Sequence, residues 1–388
     1  MSDNSSLCCL PFIHLSTHPH GGVTLCCVSD HTNAMNRARN IRDDRSVQYL
    51  DLNYNSVDSI MNSDYFQSVR QQMMNNERPP ACNRCYKQEE NGIRSKRQEE
   101  NARFNFDEEA ANAMIRESSK IDVNFKFIEL RLGNLCNVQC RTCNPASSTK
   151  WVTDYKKLSA SLPFMTVYDQ QTDSRWTESD RFWDDLLEHS KNVELIYING
   201  GEPTLVEKHW GYLRRLIDAG LHTKVTLWYS INMTNLPDKL LDIWDQFKEV
   251  KIDCSIDDLY ERNEYIRIGT KWNTVIANLD KLQSMPKLKV AICQTISIYN
   301  IHSIVEFHQF MAKRNLHVHM NFVHDPKFLS AANLPVEEKE AILHHCSVLE
   351  KWKIDALTHY LSTDSDPIAI NNAREYDKGL TFMQKEVK

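Results

Sequence analysis

"FKFIELRLGNLCNVQCRTCNP", residues 125–145, opens as a β-strand and closes on three cysteines, Cys136, Cys140 and Cys143. Five of the first eight residues are apolar, and the stretch reads as a strand with Glu129 and Arg131 on one face. The cysteines follow as C-x3-C-x2-C, so they stand on a loop at the strand's C-terminal end, with no fourth cysteine nearby. A structural zinc ion takes four closed protein ligands. A [4Fe–4S] cluster is usually held by four thiolates. Three thiolates on one loop therefore point to an iron–sulfur cluster that keeps one iron free for a small molecule. Three buried structural cysteines are the plainer alternative.

Outward from this stretch a rhythm of strands and helices continues. Strands are expected at 125–132, 193–199, 224–232, 250–256, 289–298 and 317–323. Helices are expected between them at 147–158, 207–219, 237–248, 273–283 and 303–314. A polar insertion covers 160–192, with a helix at 179–189. Strands alternating with helices of this length indicate βα units and a parallel sheet. A doubly wound sheet is apolar on both faces, yet nearly every strand here has a polar one. Glu129 and Arg131, then Trp228, Ser230 and Asn232, Asp253 and Ser255, Thr295 and Ser297, and finally His317, His319 and Asn321 share faces strand by strand. That pattern suits helices outside and a wet lumen inside. The expected fold is α/β: a partial (β/α)6 TIM-like barrel over 120–330. In such barrels chemistry gathers at the C-terminal ends of the strands.

The flanks differ. Residues 1–105 lack the βα rhythm, carry a helix at 57–76, and read as a small cysteine-rich metal-cluster module. Cys8, Cys26, Cys82 and Cys85 can form one four-thiolate site there, with Cys9 and Cys27 beside two of them as substitutes. A C-x2-C plus two distant cysteines is also a zinc-ribbon count. The basic stretch Arg94–Arg97 reads as a solvated face or a phosphate contact. Residues 335–388 read as a helical extension followed by a polar tail.

Composition narrows the class. The chain has 388 residues, 41% hydrophobic, enough for a real core. A net charge of −6 disfavours a protein that lives on nucleic-acid phosphates, without ruling out a nucleic-acid partner. The start "MSDNSSLCCLPFIHL" is a poor signal peptide. No apolar run reaches the roughly 18 residues that span a bilayer, so no membrane partner and a cytoplasmic location are expected. Twelve cysteines in such a chain suggest metal or redox chemistry rather than disulfides. With only 10 glycines in the chain, the pairs Gly21-Gly22 and Gly200-Gly201 stand out.

C-x3-C-x2-C after the first strand resembles the radical S-adenosylmethionine enzymes. The resemblance implies that Cys136, Cys140 and Cys143 hold a [4Fe–4S] cluster whose open iron chelates S-adenosylmethionine. Reductive cleavage would then give a 5′-deoxyadenosyl radical that abstracts hydrogen from a substrate. "NGGEPTL", 199–205, ends the second strand and resembles the family's GGEP motif, so Gly200, Gly201, Glu202 and Pro203 are expected to hold the methionine amino group. "YSINMTN" and "CSIDD" resemble the third- and fourth-strand segments, which gives Ser230 and Asn232, then Ser255 and Asp257, as cofactor contacts. Arg267 is a candidate carboxylate or substrate partner. One departure is Thr142, where many members carry an aromatic residue. The N-terminal cysteine layout resembles a twitch module, a shortened SPASM domain, which implies a second, auxiliary [4Fe–4S] cluster. Such modules are common in enzymes that modify peptides or proteins, so a peptide or protein substrate is expected, with a reducing partner such as flavodoxin or ferredoxin. The alternatives are the same chemistry on a nucleoside, nucleotide or sugar, and a zinc-stabilised binding protein without catalysis.

Overall fold

The computed structural model describes residues 5–29, 36–168 and 174–386. Part of the polar insertion, 169–173, lies outside the described residues. The architecture is α/β, with eight strands in a mostly parallel sheet. All six expected strands form: Phe127–Arg131, Leu195–Asn199, Thr226–Ile231, Glu249–Ser255, Leu288–Ile296 and Val318–Phe322. The helices between them are Val152–Ser161, Lys208–Asp218, Asp238–Trp244, Trp272–Gln283 and Ile304–Lys313, and the insertion contributes Asp180–Glu188. The expected two-faced pattern is clear in Thr226–Ile231, where Leu227, Tyr229 and Ile231 are buried and the residues between them are half-buried. No described helix is long and apolar enough to cross a membrane.

The chain divides into two compact units. The first comprises Met1–Gly133, Thr172–Trp228 and Lys239–Val250; the second comprises Asn134–Gln171, Tyr229–Asp238 and Lys251–Lys388.

In the first unit the N-terminal segment is built into the sheet. His14–Thr17 lies parallel to Phe127–Arg131, with His14 opposite Phe127 and Ser16 opposite Glu129, and antiparallel to Val23–Thr24. Phe127–Arg131 pairs in turn with Leu195–Asn199 in parallel. "HLST" is too short to carry a period, and its partner is far away in sequence, so no local pattern announces the pairing. The helix expected at 57–76 is two helices, Val57–Met61 and Asp64–Met74. The break falls at Asn62-Ser63, where Ser63 is extended at the second N-cap. Arg70, fully buried, ties this region together. Its Nε donates to the Pro11 carbonyl at 3.0 Å, Nη1 donates to the Ser119 carbonyl at 3.0 Å, and Nη2 donates to the Met61 carbonyl. Burial pulls that guanidinium down to about 9.

In the second unit Leu288–Ile296 and Val318–Phe322 form a parallel pair, with Cys293 opposite His319 and Thr295 opposite Asn321. A two-stranded antiparallel ribbon joins Gln139–Cys140 to Arg267–Ile268. The C-terminal residues fold as Val336–His345, Lys351–Leu361 and a 20-residue helix, Pro367–Glu386. The tail read as polar is thus helical. Its buried positions Ala369, Ala373, Tyr376 and Leu380 recur at helical spacing and pack with Trp151, Tyr155, Leu158 and Phe328.

Candidate metal centres

The three-cysteine loop belongs to the second unit. Cys136 and Cys140 pack with Val138 in one small buried cluster, and the half-buried Cys143 lies against it. Local hydrogen bonds fix the loop. Ser148 Oγ donates to the Val138 carbonyl at 2.7 Å, Trp151 Nε1 donates to the Cys140 carbonyl at 2.9 Å, and the Cys143 N–H donates to the Cys140 carbonyl at 3.0 Å. Arg141, between two of the cysteines, is 1% exposed and turns toward the C-terminal helix. Its guanidinium pairs with Asp377 at 2.9 Å and lies 3.8 Å from the Tyr265 ring centroid, while Tyr376 Oη donates to the Arg141 carbonyl at 3.0 Å.

Burial pushes the thiols of Cys140 and Cys143 up, to about 11 and about 12. A dry pocket favours the neutral thiol, and a bound metal is what converts it to the thiolate. Sulfur donors only, apolar packing and a fixed backbone fit an iron–sulfur cluster. Among the described residues, no group of three or more His, Cys, Asp or Glu is arranged to hold a single metal ion. A cluster offers each thiolate its own iron, so its ligands stand on a wider ring than those of one ion.

Three expected cofactor contacts are tied to this loop. Asn232 Nδ2 donates to Asn137 Oδ1 at 2.8 Å and approaches Cys136 Sγ at 3.9 Å, while Thr234 Oγ1 donates to Asn232 Oδ1 at 2.6 Å. Arg267 stands directly opposite Cys140 in the ribbon and pairs with Asp257 at 3.0 Å. Asp257 is fully buried. Ser255 is half-buried at the end of its strand, and Ser230 is half-buried near the end of Thr226–Ile231.

The GGEP turn belongs to the first unit. Gly200 has φ +123°, and a Cβ there would meet the Leu132 nitrogen at 2.6 Å, so only glycine lets this turn lie against Leu132 and Gly133. Those two residues immediately precede the cysteine loop in the chain. The Gly201 N–H donates to the Gly133 carbonyl at 3.0 Å. Glu202 is buried, and its Oε1 accepts from the Thr204 N–H at 3.1 Å and Thr204 Oγ1 at 2.8 Å, capping the turn Pro203–Leu205.

The first unit also gathers the N-terminal cysteines. Cys8, Cys26, Cys82 and Cys85 line one small cavity together with Lys96 and Arg97. Its lining does not include Cys9 or Cys27; burial, and next the nearby Glu129, pushes the Cys27 thiol up to about 11. The Cys8 thiol is raised by a hydrogen bond with Cys9 and by burial, and the Cys26 and Cys82 thiols are raised chiefly by burial. Neither Lys96 nor Arg97 forms the solvated face that the sequence suggests. Arg97 is 6% exposed; its Nη1 donates to the Leu7 carbonyl at 2.7 Å and its Nη2 to Glu89 at 2.6 Å. The sequence marks only where the helix carrying Lys96 and Arg97 begins. Ser95 and Gln98 form a capping box that starts Lys96–Arg103 and fixes which way these side chains leave the helix. Asn137, Arg141 and Trp151 had no comparable signal, because their roles depend on partners distant in the chain.

Comparison with known proteins gives one family match. Residues 8–86 match the SPASM model, described as an iron–sulfur cluster-binding domain. That span contains all four cysteines of the cavity. No curated protein matches the chain. Similar solved structures include native anSMEcpe with bound AdoMet, at 13% identity and TM-score 0.40, covering 61% of this chain and 63% of that one. They also include Streptococcus suis SuiB, at 12% identity and TM-score 0.38, covering 83% and 66% of the respective chains. SuiB bound to precursor peptide SuiA follows at 12% identity and TM-score 0.37, covering 84% and 72%. The chain thus spans less than two thirds of anSMEcpe. These likenesses are too distant to carry chemistry over.

Proposed function

We propose that this chain is a radical S-adenosylmethionine enzyme with a second, auxiliary iron–sulfur cluster, acting on a peptide or protein. The observation that carries the reading is the cysteine loop: three thiols held on one short, buried, hydrogen-bonded loop. Cys136, Cys140 and Cys143 would hold the first cluster, and Cys8, Cys26, Cys82 and Cys85 the second. The bound first cluster would supply the electron that cleaves S-adenosylmethionine and so starts hydrogen abstraction.

The remaining roles belong to the chain's own residues. Glu202, fixed by Thr204, would accept from the methionine ammonium, and Gly200 and Gly201 would let the backbone approach it. Pro203 would keep the turn rigid. Asn232, oriented by Thr234 and Asn137, would present its amide at the edge of the cysteine loop. Ser230 and Ser255 would offer hydroxyls to the ribose. Residues 1–105 would act as the auxiliary module, 120–330 as the barrel and 335–388 as a helical extension that braces the loop through Arg141. The SPASM match supports the auxiliary module, and the frequency of such modules in peptide-modifying enzymes favours a peptide or protein substrate. A flavodoxin or ferredoxin would supply electrons in the cytoplasm.

Anaerobic reconstitution tests this. The enzyme should carry about eight iron atoms, two [4Fe–4S] clusters, and should release 5′-deoxyadenosine and methionine when reduced. Zinc without iron would support the binding-protein alternative instead.

A further inference from the structure

Arg267 and Cys140 are direct partners in the antiparallel ribbon, so their side chains leave the same face, about 5 Å apart at Cβ. The Arg267 side chain is 10% exposed. One guanidinium nitrogen, Nη1, donates to Asp257 Oδ2 at 3.0 Å, but the buried Nε has no acceptor. Asp257 is itself immobilised. Its Oδ1 accepts from the Thr295 N–H at 2.8 Å, and its carbonyl accepts from Gln294 Nε2 at 3.0 Å and Asn300 Nδ2 at 2.8 Å. A carboxylate so fully engaged is poorly placed to reach out to a ribose, and well placed to hold a guanidinium. The thiols that face Arg267 electrostatically are those of Cys140 and Cys136. A buried N–H without a partner, on an arginine whose ribbon partner is Cys140, calls for an anion beside it.

We propose that Arg267 sets the charge of the three-cysteine site: a fixed guanidinium that donates to the anion assembled on the thiolates and makes it easier to reduce, with Asp257 as its positioning residue. This deepens the reading above and rests on it. One-electron reduction adds a negative charge to a cluster, and net charge and hydrogen bonds to sulfur set its potential. A cation held in a low-dielectric pocket stabilises the more negative state. Asp257 opposes this only partly, because Arg267, not Asp257, stands opposite Cys140 in the ribbon.

The test is a redox titration of the reconstituted holoenzyme without S-adenosylmethionine, with the auxiliary cluster as internal reference. Arg267→Gln should lower the potential of the barrel cluster and leave the auxiliary one in place. Arg267→Lys, which keeps the charge, should recover most of the shift. Arg267→Gln combined with Asp257→Asn leaves no unpaired buried charge, which protects folding, and should give a smaller fall than the single change. Unchanged potentials in Arg267→Gln, with iron content intact, would overturn the proposal. So would an unchanged potential accompanied by weaker S-adenosylmethionine binding, which would assign Arg267 to the cofactor carboxylate. If the wild-type protein takes up no iron, the enzyme reading itself fails, a result distinct from either of these.

Discussion

The two cysteine sites are built in opposite ways. The proposed three-cysteine site takes Cys136, Cys140 and Cys143 from one loop of eight residues, positions 136–143. The proposed N-terminal site takes Cys8, Cys26 and the pair Cys82 and Cys85 from three separate segments that line one cavity. The first is therefore written locally, whereas the second exists only once the unit has folded. The difference extends to charge. The N-terminal cavity is lined by two cations, Lys96 and Arg97, paired with Glu100 and Glu89, and the three-cysteine loop faces Arg267, paired with Asp257. A four-thiolate site proposed as closed and a three-thiolate site proposed as open call for different tests.

Changing Cys136, Cys140 and Cys143 together to Ala breaks the comparison most severely. Cleavage of S-adenosylmethionine should disappear, and about four iron atoms should stay bound, the content of one [4Fe–4S] cluster. Product analysis by chromatography and an iron assay check both halves, and residual cleavage would remove the loop from the mechanism. The mirror experiment changes Cys82 and Cys85 to Ala. About four iron atoms should be lost while cleavage without substrate continues, and substrate turnover should fail. Circular dichroism controls for local unfolding, because a metal site can hold a small module together.

A milder change sharpens the contrast in how the sites are held. Arg97→Met removes the ion pair of the nearly buried Glu89, which keeps Ser95 Oγ, and one of two donors to the Leu7 carbonyl, which keeps Asn101. Breaking a buried pair of this kind costs about 3 kcal/mol. Denaturant unfolding should show that loss, and the auxiliary cluster should bleach sooner while the barrel cluster persists. Equal loss of both clusters would mean that Arg97 supports the whole protein rather than one site.

Acid should act on both units alike. His209 in the first and His308 in the second are pushed down to about 3, each chiefly by burial. In the unfolded chain they protonate below about 6.5. Between these values the unfolded state binds more protons, so stability falls as pH falls, by about 1.4 kcal/mol per pH unit for each histidine. Thermal unfolding at pH 7.5 and 5.5 checks this, and replacing both residues by Gln should flatten the dependence.

Much of the fold could be read in advance, for reasons visible in particular residues. Thr226–Ile231 shows its period because its two faces meet different surroundings. "CNVQCRTC" is legible because its three cysteines are neighbours. His14–Thr17 escaped notice because its partner strand begins at Phe127. The tail escaped because Ala369, Ala373, Tyr376 and Leu380 form a thin apolar stripe within a polar composition. That Cys8, Cys26, Cys82 and Cys85, and not Cys9 or Cys27, line one cavity required the fold, since adjacent cysteines cannot be told apart by spacing. Arg97 was hidden by its charge, which suggests solvent until Glu89 and Leu7 are seen around it.

The central claim is that one site is open and the other closed. Electron paramagnetic resonance of the reduced, reconstituted protein, with and without S-adenosylmethionine, addresses it directly. Two cluster signals should be present, and only one should shift when S-adenosylmethionine is added. The shifting signal should vanish in the Cys136, Cys140 and Cys143 variant and survive in the Cys82 and Cys85 variant. A shift in both signals or in neither, or one that survives loss of the three barrel cysteines, would contradict the account.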